Sequence, residues 1–215
     1  MSNYLWLLDA GHGGMTKDGT YTTAPGKMHI FSDGLVFYEG VNNRAIVRRL
    51  VLLLREAKIR FMKMHDEELD LSLRQRVMAA NMVHQFQPCI YLSIHSDAMP
   101  EGAHGKGSGF AIYTSPGQTA SDRIANIFSS CYEAGLKEFK SRKDLSDGDA
   151  DKEEAFYVLK NTTCPAILVE TLFFDNRKEA EFLLSAEGQQ RIAQALFNAI
   201  LETETADCAE NAKTI

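Results

Sequence analysis

Three apolar runs of strand length each end in a residue able to bind a metal ion or move a proton. Leu5 to Leu8 meets Asp9 and then breaks into the turn Gly11-His12-Gly13-Gly14. Cys89 to Ile94 runs into His95, and Ala166 to Val169 runs into Glu170. A glycine-rich turn after a strand is common, and a lone histidine is more often structural than chemical. Three such strand ends together, however, point to one site at the carboxyl edge of a sheet, where open α/β folds place their ligands. Imidazole and carboxylate are the side chains that ligate divalent metals and act as general acids and bases near neutral pH.

The elements that must position these groups follow in order along the chain. Residues 15 to 38 show no sustained period and are rich in Gly, Thr and Pro, which predicts a long loop or small hairpin beside the site. We expect it to contact substrate, with His29 a solvated loop histidine. Glu39 opens a helix to about Ala57, whose stripe is Val41, Ala45, Ile46, Leu50, Leu53 and Leu54. A carboxylate in a first helical turn is favoured by the helix dipole alone, so Glu39 by itself carries no chemistry. Lys58 to Met64 reads as a strand, and Ser72 caps a helix through His84, with His65 and His84 at element ends doing no chemistry. Gly109 to Tyr113 and Phe156 to Leu159 read as short strands, and Thr119 to Phe139 as a helix. Lys140 to Glu154 is charged and expected as an exposed loop. Asn176 with Glu179 resembles a capping box ahead of a closing helix whose buried face is Ile192, Leu196, Ala199 and Ile200. The sequence predicts one domain over 1–203 and a disordered tail over 204–215.

At 215 residues the chain is long enough for one domain with a sizeable core. Its net charge of −6, with no basic stripe, argues against nucleic acid and against adhesion to an anionic membrane. No apolar run approaches the roughly 20 residues a membrane span needs. Cys89, Cys131, Cys164 and Cys208 lie far apart with no CxxC pair, so free thiols are expected, Cys89 and Cys131 in the core. No signal peptide is visible, so synthesis in the cytoplasm is expected.

Several separated blocks resemble the zinc-dependent N-acetylmuramoyl-L-alanine amidases of the family-3 type. They are Leu8 to Gly14; Glu39 with Asn43; Asp66, Leu73, Arg76, Ala80 and Asn81; Ser93 to Ala98; and Pro165 to Glu170 with Phe173 and Asn176. The resemblance runs from about Leu5 to Leu201. It implies a single α/β domain with a twisted, mostly parallel sheet of about six strands flanked by helices. It also implies one Zn2+ held by His12, Glu39 and His95, with Glu170 as the catalytic acid and base. Asn43, from a matched block, and His104, as a loop histidine near the site in sequence, are carried as substrate contacts. The departures are a long segment between His12 and Glu39, His65 where arginine is commoner, and Asp97 in place of asparagine.

The implied activity is hydrolysis of the amide between N-acetylmuramic acid and the L-alanine of the peptidoglycan stem peptide, by a monomer. The other readings are a zinc endopeptidase cutting within the stem peptide and a peptidoglycan-binding module without catalysis. A phage-type lysin released at lysis, or a secreted enzyme whose leader lies outside this sequence, would bring the activity to the wall. The stretch 140–154 looks too polar and short to form a helix over the metal, which predicts an open site.

Overall fold

The computed structural model describes residues 2–146 and 148–213. In chain order the elements are β1 (Leu5–Ala10), β2 (Met28–Ile30), β3 (Val36–Tyr38), α1 (Glu39–Glu56), β4 (Phe61–Lys63), α2 (Leu73–His84) and β5 (Cys89–Asp97). They continue with β6 (Ala111–Thr114), α3 (Ala120–Gly135), β7 (Lys152–Glu153), α4 (Tyr157–Asn161), β8 (Ala166–Phe173), α5 (Arg177–Leu184) and α6 (Ala186–Lys213). Six strands form one sheet in the order β4-β1-β5-β8-β6-β7, and β2 pairs with β3 as a separate hairpin. The ladders β4-β1, β1-β5 and β5-β8 are parallel, and β6 turns the direction by pairing antiparallel to β8. The expected single α/β domain with a mostly parallel sheet of six strands is the fold observed.

Strand periodicity of two separates the core into two layers. Trp6, Leu8, Ala10, Ile90, Leu92, Ile94, Ile167 and Val169 pack with α1, α3, α5 and α6 on one side. Leu5, Leu7, Cys89, Tyr91, Ala166 and Leu168 pack with Val77 and Ala80 of α2 and Val158 and Leu159 of α4 on the other. Because both faces are covered, the central strands read as continuous apolar runs, which made them visible in the sequence.

Helix starts follow local chemistry. Ser72 and Gln75 form a reciprocal capping box on α2, and Thr119 does the same with Asp122 on α3. Asn176 caps α5 by accepting from the Glu179 N–H, but the Glu179 carboxylate does not return the bond. It is buried and accepts from Ser108 Oγ and from the Gly109 and Phe173 amides, pinning the loop before β6 to the end of β8.

Four expectations are corrected. Phe156 to Leu159 is not a strand: Tyr157–Asn161 is a helix, in which Val158 and Leu159 face α2 and the Lys160 N–H reaches Phe156 O at 2.9 Å. The stretch 140–154 is not wholly an exposed loop, since Lys152–Glu153 pairs parallel to β6 and Asp151 is buried. Of the segment 204–215, expected to be disordered, residues 204–213 continue α6, and 214–215 lie outside the described residues. Its buried contacts at this point are polar, so hydrophobic period does not mark them: Glu204 accepts from Ser2 Oγ at 2.7 Å and Trp6 Nε1 at 2.9 Å, and Thr203 donates to Ala199 O. Cys89, Cys131 and Cys164 are free, with Cys131 half-buried and not in the core. The side chain of Cys208 lies outside the described residues. Among the described residues no helix is long and apolar enough to cross a membrane.

Candidate active site

Parity of the sheet decides which groups share the site. In β5 the sequence Tyr91, Ser93, His95 points to the α2/α4 side, and in β8 Leu168 and Glu170 point the same way. His95 and Glu170 are direct Cα partners across the parallel ladder. Asp9, alternating with Leu5 and Leu7, joins them from β1. A cleft of about 660 Å3 lies above these residues, with His12, His95 and Glu170 in its floor. Lys27, Leu71, Leu73, Phe156 and Tyr157 are among its walls.

His12 arrives from the turn after β1. Its backbone is left-handed, φ +65°, a conformation that costs a non-glycine residue about 1–2 kcal/mol unless the surroundings impose it. Gly11 before it has a packing reason: a Cβ there would sit 2.0 Å from His95 Cε1, so the bare backbone lets the second imidazole lie against the turn. Gly40 does the same for α1, since a Cβ there would meet Gly13 O at 1.9 Å. These close approaches bring Glu39, the first residue of α1, into the cluster.

Glu39 is therefore more than a helix-start acid. It is 1% exposed, with Oε1 at 3.3 Å from His12 Nε2 and 3.1 Å from His95 Nδ1. The Ser96 N–H donates to the same oxygen at 3.2 Å. One ligand atom from each of His12, Glu39 and His95 lies within 4.8 Å of the others. Ligands about 2.0–2.1 Å from a tetrahedral zinc stand roughly 3.3–3.4 Å apart, the spacing that already separates His12 Nε2 from Glu39 Oε1. Burial would raise the Glu39 carboxyl, but hydrogen bonds and charge from the two histidines outweigh it and hold the carboxyl low. Burial pushes the His95 imidazole down, against the attraction of Glu39, which favours the neutral form that ligates metals. His12 Nε2 and Glu39 Oε2 are buried without a hydrogen-bond partner. Unpaired buried polar atoms in this donor set are what a cation would satisfy, so the residues fit a divalent zinc.

Glu170 has the opposite character. Burial, then the Glu39 and Asp97 carboxylates, push its carboxyl well above the ordinary range, and Oε2 is buried without a partner. A carboxyl raised in this way takes and keeps a proton more readily than a free one, as a residue that shuttles a proton requires. Nearby, Arg142 pairs with Asp97 at 2.8 Å and lies 4.5 Å over the Phe173 ring.

The other expected contacts fall elsewhere. Asn43 is fully buried and does not line the cleft; its Nδ2 donates to Gly11 O at 3.3 Å, which makes it a support of the turn. His104 is exposed and stacks edge-on with His29 at 5.0 Å, outside the cleft lining. His29 belongs to β2 of the hairpin, and from the segment 15–38 it is Lys27 that reaches the cleft. His65 is buried, accepting the Ala10 N–H through Nδ1 at 3.1 Å. Among the described residues 140–154 contains no helix. Reading the sequence missed the α4 wall and the ion pair of Asp9 with Arg76. An acid at an inward position of an all-apolar strand was the available signal, because such a charge needs a buried partner.

A sheet-edge site joining three potential metal ligands to a buried carboxyl with a free oxygen defines a candidate metallohydrolase. The family model Amidase_3, described as N-acetylmuramoyl-L-alanine amidase, matches residues 7–202, and the chain belongs to that family. Over 209 residues it is 27% identical to the endolysin of Bacillus phage SPP1, covering 94% of this chain and 66% of that protein. Over 196 residues it is 29% identical to the N-acetylmuramoyl-L-alanine amidase CwlM of Bacillus licheniformis, covering 90% and 66%. The chain thus spans just under two thirds of these curated relatives. The fold is shared with the solved N-acetylmuramoyl-L-alanine amidase of Clostridium difficile 630, at a TM-score of 0.74 and 24% identity over 94% of this chain and 97% of that one.

Proposed function

We propose that this chain hydrolyses the amide bond between N-acetylmuramic acid and the L-alanine of the peptidoglycan stem peptide, as a monomer holding one Zn2+ on His12, Glu39 and His95. The observation that carries the reading is the convergence of those three residues with Glu170 directly across the ladder from His95. Membership of the family and the likeness to CwlM and the phage endolysin support the choice of bond.

A zinc ion so held supplies a Lewis acid for the scissile carbonyl and lowers the pKa of bound water toward about 7. The protein's own part is then proton transfer and placement. Glu170 takes the proton of the attacking water as the C–O bond forms, then returns it to the alanine nitrogen as the C–N bond breaks. Burial and nearby carboxylates make it more basic than a free carboxylate, which favours the first act and lets it keep the proton until the second. Leu73, Phe156 and Tyr157 offer apolar surface at the cleft walls, and Lys27 a positive charge toward an anionic part of the substrate.

Mass spectrometry of soluble products from purified peptidoglycan tests this, with the protein assayed before and after chelation and zinc return. Intact stem peptides beginning at L-alanine, lost on chelation and restored by zinc, are expected. Fragments cut within the peptide would move the assignment to an endopeptidase, and bound metal with no product to a binding module.

A further inference from the structure

Two buried arginines converge on one backbone oxygen of the site. Arg44 Nη2 donates to His12 O at 2.8 Å and Arg76 Nη2 donates to the same oxygen at 3.1 Å. Both side chains are almost wholly buried, at 2% and 3% exposure. Arg44 otherwise donates to backbone carbonyls: Asp66 O from Nε at 2.9 Å and from Nη2 at 2.7 Å, Gly40 O from Nη1 at 2.9 Å, and Leu69 O. Arg76 is itself held, by the Asp9 carboxylate, by Asp70 Oδ1 at 3.2 Å and by donation to Ala10 O at 3.2 Å and Leu71 O at 2.9 Å. Tyr91 OH and Ser93 Oγ complete Asp9 from β5.

Burying two cations beside one another is unfavourable, and burial, then the nearby Arg76 charge, lowers the Arg44 guanidinium. What they share is the carbonyl of the one cluster residue whose backbone lies in the left-handed region, at φ +65°. A planar guanidinium can span several carbonyls at fixed angles, which a lysine ammonium cannot. Arg44 thereby ties the turn to α1, the helix that begins with Glu39, and Arg76 ties it to β1 and α2.

We propose that Arg44 and Arg76 are positioning residues that hold His12 in its left-handed backbone, so that its imidazole is preorganised with Glu39 and His95 for a divalent metal. The device works through the peptide backbone and not through the ligand's ring. The inference rests on the reading of His12 as a ligand. It is distinct from the peptide-bond specificity, because its readout is metal affinity.

The test measures zinc affinity by competition with a chromophoric chelator, and the visible absorption of the Co2+-loaded protein, in Arg44→Lys, Arg76→Lys and His12→Ala. Supporting bonds around metal ligands typically carry 10–100-fold in affinity. Each lysine variant is expected to bind zinc 10–100-fold more weakly and to show an altered Co2+ spectrum while remaining folded by circular dichroism. Adding Arg44→Lys to His12→Ala is expected to change residual affinity less than threefold, since the positioned ligand is already gone. If Arg44→Lys and Arg76→Lys do not fold, Asp9→Asn, which keeps shape and removes the charge holding Arg76, carries the same expectation at the lower end. Folded variants that bind zinc within threefold of wild type, with an unchanged Co2+ spectrum, would overturn the inference. His12→Ala retaining wild-type affinity would instead remove the ligand assignment beneath it.

Discussion

His95 and Glu170 stand opposite each other on adjacent parallel strands, one a candidate metal ligand and the other a carboxyl with a free, buried oxygen. Their spacing is fixed by the sheet and not by a loop, so replacing Glu170 should leave the ligand set intact. Glu170→Gln is expected to retain stoichiometric zinc while kcat on muramyl peptides falls by about 10²–10⁴. Turnover within tenfold of wild type would take the proton-transfer role from Glu170.

The ligand assignment makes a separate prediction. His12→Ala and His95→Ala should each lose bound zinc on dialysis, measured by elemental analysis, and with it activity. Chelation of the wild-type protein should abolish activity, and stoichiometric zinc should restore it.

Acid should destabilise the chain through His65. Burial, with the neighbouring Arg44 charge, pushes this imidazole down to about 4, while an unfolded histidine takes its proton near 6.5. Between those values the unfolded chain binds a proton that the folded one refuses, so stability falls as pH drops from 6.5 toward 4, by up to roughly 3 kcal/mol. Urea unfolding of His65→Gln, which can accept the Ala10 N–H but does not titrate, should show a shallower slope across that window.

Asp151 works in the other direction. Burial and the Asp149 and Asp122 carboxylates push it up to about 7 against the lowering effect of its Thr114 hydrogen bond. An unfolded aspartate releases its proton near 3.8, so the folded state is progressively disfavoured as pH rises from 3.8 to 7. Asp151→Asn should raise Tm at pH 8 by at least about 2 °C and leave it unchanged below pH 4, in thermal scans across pH.

The link between α6 and the start of β1 also has a measurable weight. Trp6 is fully buried and donates Nε1–H to Glu204 Oε1 at 2.9 Å. Glu204→Ala leaves that donor without its partner and should cost about 1–3 kcal/mol in denaturant unfolding. A loss below 0.5 kcal/mol would mean that water reaches the indole.

The legible parts of the chain were those in which one physical signal acted alone. β1, β5 and β8 are buried on both faces, and their apolar runs and terminal His12, His95 and Glu170 could be read directly. Glu39 was legible only through resemblance, because a first-turn acid has a sufficient local cause and its contact with His95 spans 56 positions in sequence. Val158 and Leu159 form too short an apolar run to tell helix from strand, and packing against α2 decides it. The end of α6 was hidden for a different reason: Thr203 and Glu204 are buried through hydrogen bonds, so a hydrophobic period could not mark them. Only the fold shows that the charge of Arg44, on α1, lies under the His12 carbonyl.

Gly11 leaves the site without slack. Because the His95 ring rests against bare backbone there, a single added methyl group would overlap the imidazole at 2.0 Å and push it from Glu39. A protein redesigned for another metal or substrate could vary its cleft walls and its hairpin freely. At this one position the smallest possible mutation would act like the removal of a ligand four strands on in sequence but adjacent in space.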